Sequence, residues 1–431
     1  MDDKIKKWTI FIIIISATFM STLDGSIVNV ALPKMAEALG VTTSKIQWVV
    51  TSYLVVISAV ILIFGRLGDM FGKTTVFKIG LSLFTLGSFL CGITSSFNIL
   101  ILARVVQAIG AAGTMANNQG IVTEIFPANE RGKALGLIGT AVALGSLVGP
   151  GLGGFIVGSF HWKFIFLINV PIGIIALFYA FKLLPKSNRT SSEKLDIIGA
   201  LLFIFTIIPL FMSLNEGINL GFTSPMILLG FAIAAICFIS FIILEKKISS
   251  PLMQLGIFKN KLFSISIFCG FVSFVAIFCH NIILPFYLQD LMGYSPQKAG
   301  MILMAYPLIL MVVAPLSGSL SDKIGSELLT FFGLIVGSIG LFLMSTLNDN
   351  SKVIVMVIFI AVMSAGMGIF QSPNNSLIMS TVPKNKLGIA GSINALVRNV
   401  GMSTGIALAT TLLYTQMSSK IGYRVTDFVS G

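Results

Sequence analysis

GRLGDMFGK, residues 65–73, returns 253 positions later as GSLSDKIGS, residues 318–326. Both copies read G-x-L-x-D-x-x-G, so Gly65, Asp69 and Gly72 align with Gly318, Asp322 and Gly325. Two further pairs keep nearly the same step. NVALP (29–33) pairs with NIILP (281–285), and Leu135-Gly136 pairs with Leu387-Gly388, each at an offset of 252. Three matches at spacings of 252 to 253 indicate a duplication: two homologous halves following one another in parallel orientation.

Composition says what those halves are made of. Hydrophobic residues make up 55% of the 431 and charged residues 10%, with a mean hydropathy of +0.98. A soluble chain of this length needs far more charge to cover its surface. Apolar runs of about 20 residues recur along the chain, long enough to cross a hydrocarbon core of about 30 Å. They fall at 9–31, 44–64, 75–94, 97–119, 134–157, 163–183, 197–214, 225–244, 262–289, 297–317, 328–346, 353–372 and 387–414. The first run follows Lys4, Lys6 and Lys7 but is too long for a signal peptide and lacks a small-residue cleavage site. It reads as a retained helix. The expectation is an all-α polytopic membrane protein with thirteen visible spans and a fourteenth expected after the polar segment 415–431. The repeat offset equals eight spans rather than six. That leaves 197–214 and 225–244 as an inserted pair and divides the chain at 1–186, 187–250 and 251–431.

Orientation follows from Lys and Arg. With the N-terminus inside, 19 of the 28 fall in cytoplasmic segments and 7 outside, while Arg104 and Arg398 lie within helices. The net charge of +12 is therefore a membrane-face device, not a nucleic-acid patch. The four cysteines lie within spans and show no metal-ligand spacing, which favours core packing over a metal site.

GSLVGPGLGGF (145–155) contains Gly149, Gly151 and Gly154 in the spacing of a dinucleotide loop. Such a loop needs a strand before it and an acid about 20 residues on. Here an apolar helix precedes it and IIALFY follows. Ala141, Gly145, Gly149 and Gly153 instead recur every four residues and line one helix face, where small residues let backbones approach; Pro150 can kink the rod. Plain helix packing is the alternative to a role in transport.

Four segments together resemble the major facilitator superfamily, and within it the fourteen-span drug:proton antiporters. LDGSIVNVALP (23–33) is similar to that group's first-helix motif and GRLGDMFGK to the superfamily's loop between helices two and three. LILARVVQAIGAAG (100–113) resembles the fourth-helix motif, and the 145–155 stretch the fifth-helix antiporter motif. WKFIFLINVPIG (162–173), DIIG (196–199) and NALVRNVGMSTGIAL (394–408) also look typical of the fourteen-span branch. The resemblance implies two six-helix bundles, alternating access and a proton gradient as energy source with no cofactor. It implies a conformational latch built from Gly65, Arg66, Asp69, Gly72 and Lys73. A second latch at Asp322 is doubtful, because Ser319 stands where the first copy has Arg66. It further implies that Gly145, Gly149, Pro150 and Gly153 belong to the seam between the halves.

Asp24 is the sharpest single signal, since a carboxylate within a span is costly and usually functional. It lies about seven residues from the outer end of its helix, as Arg104 does in another, so both sit roughly 10 Å deep. A nearby cation favours the charged form of a carboxylate and burial disfavours it, so a movement that exchanges the two influences couples to protons. A static salt bridge is the alternative. Asp69 is expected near the start of the third helix, complementing its amides. Arg398 lies near the midplane with no acid deep in the second half. That weakens a cationic substrate and leaves room for an anionic or zwitterionic one, with capping of backbone carbonyls as the alternative. Asn29, Asn117, Asn118, Gln119, Asn281, Gln371, Asn374, Asn375 and Asn394 are cavity candidates, although buried amides more often join helices to one another. His280, a lone histidine near an outer helix end, reads as an ordinary polar contact. No nucleophile constellation or phosphate-binding lysine loop is visible, so an enzyme or an ATP-driven pump is not expected. The leading expectation is a proton-coupled exporter of lipophilic small molecules, monomeric, in a bacterial cell membrane with its N-terminus cytoplasmic. The runner-up is a dedicated carrier, even an uptake symporter, for one anionic or zwitterionic metabolite.

Overall fold

The computed structural model describes residues 3–41, 43–185, 195–248, 250–294 and 296–421. A bilayer offers backbone groups no water to bond, so apolar runs of this length satisfy their amides internally as helices. The order is α1 (Asp3–Leu39), α2 (Thr43–Ile46), α3 (Trp48–Phe71), α4 (Lys73–Ile93), α5 (Phe97–Ile125), α6 (Ala128–Ser159), α7 (Phe164–Leu167) and α8 (Asn169–Leu183). After these come α9 (Ile197–Leu220), α10 (Pro225–Glu245), α11 (Lys261–Phe286), α12 (Pro296–Leu303), α13 (Ala305–Ile324), α14 (Ser326–Ser345), α15 (Val353–Ser380) and α16 (Leu387–Ile421). Among the described residues, thirteen helical stretches are long and apolar enough to cross a membrane. The expected fourteenth span lies outside the described residues.

Two of the boundaries differ from the sequence reading in a way that matters. GRLGDMFGK and GSLSDKIGS are not loops over most of their length: residues 65–71 form the last turns of α3, and residues 318–324 the last turns of α13. Each helix stops at a glycine with positive φ, 96° at Gly72 and 95° at Gly325, and the next helix starts at once. L side chains rarely adopt that conformation, so both turns require glycine. Asp69 therefore stands at the end of the second span, not the start of the third.

The first half comprises α1 and α3 to α8, the second α11 to α16. In the first half α6 packs on α1, and α4 and α3 pack on α5; in the second, α16 packs on α11 and α15 on α14 and α13. The halves meet through α6 with α13 and α15, and through α16 with α3 and α5. The inserted helices attach from one side. α9 lies against α3 and α16, where Phe203, Ile207 and Phe211 share a buried cluster with Val55, Ala59 and Ile393, and α10 packs on α9.

The two ends of the bundle differ. At the end where α3 finishes and α6 begins, called here the basic end, the halves touch. Gly132 abuts Gly318, Gly136 abuts Ala314, and Gly65 abuts Gly388 and Ser392, each pair too close for a Cβ. The α6 contacts continue through Thr140 Oγ1, which donates to the Met311 carbonyl at 3.1 Å, to Ala143 packed with Ile277 and Leu310. Beyond that, on the same face of α6, a Cβ at Gly151, Gly154 or Gly158 would meet nothing within 4 Å among the described residues. The helices part toward the distal end.

Candidate functional site

Asp24 and Arg104 are brought together at the centre of the first half. Both are completely buried, and Arg104 Nη1 donates to Asp24 Oδ2 at 2.5 Å. A buried ion pair is costly unless further hydrogen bonds satisfy its remaining lone pairs and protons, and here the neighbours supply them for every polar atom of the pair except Arg104 Nη2. Gln107 Nε2 and Asn169 Nδ2 donate to Asp24 Oδ1 at 2.8 and 3.2 Å. Arg104 Nε donates to the Val49 carbonyl at 2.9 Å, and Nη1 also donates to Gln107 Oε1 at 2.6 Å. Gln107 further donates to Ser88 Oγ at 2.8 Å. The guanidinium lies over the Tyr53 ring, 4.2 Å from its centroid, with Phe166 at 5.5 Å. Arg104 Nη2 makes no hydrogen bond. Six helices thus converge on one charge pair.

Sequence reasoning missed Gln107 and Asn169. Gln107 lies one turn past Arg104 in the segment 100–113, so i,i+3 spacing placed it on the same face. Asn169 sits in FLINVPIG with no signal of its own.

The glycine row has a different partner from the one expected. Gly145, Gly149 and Gly153 pack on α1, within the first half, against Phe19, Thr22, Ser26 and Ile27, and Ser26 Oγ donates to the Gly145 carbonyl at 2.9 Å. Pro150 is exposed on the other side of α6, which continues through it. The second half repeats the arrangement at the 252 offset: Gly401 and Gly405 of α16 pack on Phe271, Phe274, Val275 and Phe278 of α11. A single long helix serves two contacts. Its basic-end third faces the other half, and its distal part leans on the first helix of its own half. The seam here is made by Gly132 and Gly136, and the 145–153 row grips the helix that carries Asp24.

The latch residues form two reciprocal caps. Asp69 of α3 accepts from the amides of Gly388 and Ile389, at the start of α16, at 2.8 and 2.9 Å. Asp322 of α13 accepts from Gly132 and Lys133, near the start of α6, at 2.8 and 3.0 Å. Each half thus places a carboxylate on a helix of the other: Asp69 on the first turn of α16, where free amides and the helix dipole favour negative charge, and Asp322 on the second turn of α6. Asp322 holds its cap even though Ser319 replaces the arginine. Lys73 backs the first cap with ion pairs to Asp69 at 3.1 Å and Glu124 at 2.9 Å, and it donates to the Lys384 carbonyl at 3.2 Å. Arg66 is buried beside this cap in α3.

Two repeated halves therefore hold one another by reciprocal carboxylate–amide bonds at the basic end. The family model for the major facilitator superfamily matches residues 14–406. The chain belongs to the major facilitator superfamily. A riboflavin transporter, RibZ of Clostridioides difficile, is 39% identical over 95% of this chain and 90% of its own. The multidrug transporter protein MdtP of Bacillus subtilis is 32% identical, over 96% of this chain and 76% of its own. Among solved structures, the proton:xylose symporter XylE superposes with a TM-score of 0.67 at 15% identity, covering 98% of this chain and 92% of that one. At that identity the likeness concerns the fold alone. This superfamily member is a multi-pass membrane transporter, not an enzyme.

The cavity candidates divide. Asn117 is buried and donates to the carbonyls of Phe64 and Gly113 at 3.2 and 3.0 Å, and Asn374 is buried and donates to Ser266 at 3.1 Å. Both join helices and do not face a cavity, because an amide in a tight crossing spends its protons on the neighbouring backbone. Asn118 bonds Thr18 Oγ1 at 3.3 Å, tying α5 to α1. Asn29 is exposed toward the distal end and donates to its own helix at Gly25. Asn281 is half-buried in the distal part of α11. Asn394 donates to Gln119 at 3.1 Å and Asn375 at 2.8 Å, so amides from three helices and both halves meet. Gln371, Arg398 and His280 are half-buried.

Proposed function

We propose that this protein is a proton-coupled secondary transporter that exports lipophilic small molecules from a bacterial cell by alternating access. The N-terminus is cytoplasmic in this reading, the chain acts as a monomer, and a proton gradient supplies the energy without a cofactor. The observation that carries it is the Asp24–Arg104 pair: a wholly buried carboxylate whose counter-cation sits on a different helix. A rearrangement within the first half that shifts α5 relative to α1 changes the distance between them, and with it the balance between the counter-charge, which favours the charged carboxyl, and burial, which disfavours it. With the basic end cytoplasmic, the present conformation is outward-facing. The capping bonds at Asp69 and Asp322 join the halves only while that end is shut. They must break for substrate to enter from inside, and re-form as it leaves. The grip of α6 on α1 through Gly145, Gly149 and Gly153 transmits the movement of the interface helix to the helix bearing Asp24.

The test is transport in proteoliposomes under an imposed pH gradient, with a panel of amphipathic compounds. Uphill accumulation that collapses with the gradient supports the reading; accumulation indifferent to it, or none, removes it. A second reading, a carrier dedicated to one metabolite, is favoured by the 39% identity to a protein named for riboflavin transport. Saturable movement of a single panel member would select it.

A further inference from the structure

In the second half, α15 runs toward the basic end and α16 away from it, and they are joined where Asn394 donates to Asn375. One turn further toward the distal end, about 6 Å along each axis, stand Gln371 on α15 and Arg398 on α16. Each lies above its asparagine on the same helix face, because residues four apart share a face. The two side chains therefore occupy one layer directly above the amide junction. Both are half-buried, and among the described residues neither makes a hydrogen bond or an ion pair.

An unpaired guanidinium at that depth is costly unless it faces a polar cavity and meets a counter-charge. The described acids offer none. Asp24 is held by Arg104, Asp69 and Asp322 cap helices, and Glu327 and Asp349 are exposed at helix ends. Capping of backbone carbonyls, the alternative role for Arg398, is not made. The wall on the distal side of this layer is aromatic: Phe274 lies against Gly401, one turn beyond Arg398, and Phe278 against Gly405, two turns beyond it, and with Tyr306 they border a buried cluster containing Met367 and Phe370.

We propose that Arg398 and Gln371 form the head-group site of the substrate cavity, and that the substrate class is an amphipathic organic carboxylate. The planar guanidinium offers paired donors that match the two oxygens of a carboxylate. The Gln371 amide bonds the polar group next to it, and the apolar body lies against Phe274, Phe278 and Tyr306. This inference rests on the transporter reading above and names the charge of what is carried.

The test is equilibrium binding to the full-length protein in nanodiscs with three probes of one shape: 2-naphthoxyacetate, its neutral amide, and 2-naphthoxyethylamine. The native protein should bind the carboxylate about tenfold or more tighter than the amide, a margin expected for charge-assisted bonds. Arg398→Gln should erase the margin while leaving the amide within about threefold, and Arg398→Lys should keep part of it, having the charge without the fork. Gln371→Ala should weaken carboxylate and amide alike. Thermal unfolding of each variant checks that the fold survives. Equal or tighter binding of the amine, no discrimination among the probes, or an unchanged margin in Arg398→Gln overturns the proposal. Failure of the two readings is separable. Gradient-driven movement of the amine or amide but not the carboxylate leaves the export reading standing and removes this one. Arg398-dependent carboxylate binding without gradient-driven transport does the reverse.

Discussion

Replacing Asp69 by asparagine removes a charge but keeps one acceptor oxygen and nearly the same shape. Asp69 is 4% exposed and accepts two inter-half amide bonds, at 2.8 and 2.9 Å, with Lys73 at 3.1 Å. Hydrogen bonds to charged groups are worth about 1.5–3 kcal/mol each. The neutral amide loses one outright and weakens the other, and it gives up the interaction with the α16 dipole. A loss of about 2–3 kcal/mol falls only on the conformation shut at the basic end, which is about 30- to 150-fold in the ratio of the two facing states. Asp322 is half-buried and one of its two bonds reaches the exposed end of α6 at Lys133. Asp322→Asn should therefore cost about 1–2 kcal/mol, or about 5- to 30-fold. The two effects should add in the double variant if the caps are independent. Spin labels at the exposed residues Asn129 and Asn385, on opposite halves at the basic end, read the populations directly in a background freed of native cysteines. A longer distance should grow in the order Asp322→Asn, Asp69→Asn, double variant. A distribution for Asp69→Asn that superimposes on the native one, or a larger effect from Asp322→Asn, refutes the reasoning.

Asp24→Asn should abolish gradient-driven accumulation yet spare equilibrium binding, since Asn keeps the shape and loses the titration; unchanged uphill transport with unchanged pH dependence moves the coupling site elsewhere. Gly149→Leu should stop transport, because its side chain collides with Ser26 of α1, an overpacking of about 1–3 kcal/mol. Gly151→Leu, two residues on and facing nothing within 4 Å, should be tolerated in the same assay, and equal loss in both sinks the gripping role. Gln107→Leu should lower the unfolding temperature, since the buried Asp24 Oδ1 loses one of its two donors, Arg104 Nη1 loses one of its two acceptors and the Ser88 oxygen loses the proton it accepts from Gln107. Glu245→Ala should destabilise the entry to α11 by about 1–3 kcal/mol, as Glu245 accepts from the amides of both Leu252 and Met253. Limited proteolysis near residue 250 reports it.

The parts legible in the sequence are those with a local or periodic cause. Thirteen spans follow from runs of apolar side chains, because a bilayer admits a lone segment only as a helix. The duplication follows from G-x-L-x-D-x-x-G, whose glycines were kept at two positions where φ is positive. Asp24 stood out because a single carboxylate in a span is expensive wherever the helix ends up. Arg104 matched its depth by counting residues, and depth is enough when two helices run side by side.

Tertiary structure alone decided which helix each of these residues meets. Asp69 lies 319 positions from Gly388, and nothing near either residue announces the other. Asn117 and Asn374 look as well suited to a cavity as Gln371, yet two helix crossings consume the first pair and leave the last free. The glycine row at 145–153 states that α6 touches something closely, but small residues carry no address; packing of the whole bundle turned that face to α1 and gave the inter-half contact to Gly132 and Gly136. Helical periodicity records how much room a neighbour needs and at what depth a charge sits, both properties of one segment. The identity of the neighbour is a property of the assembled bundle, because contacts between helices depend on how every other helix has already packed.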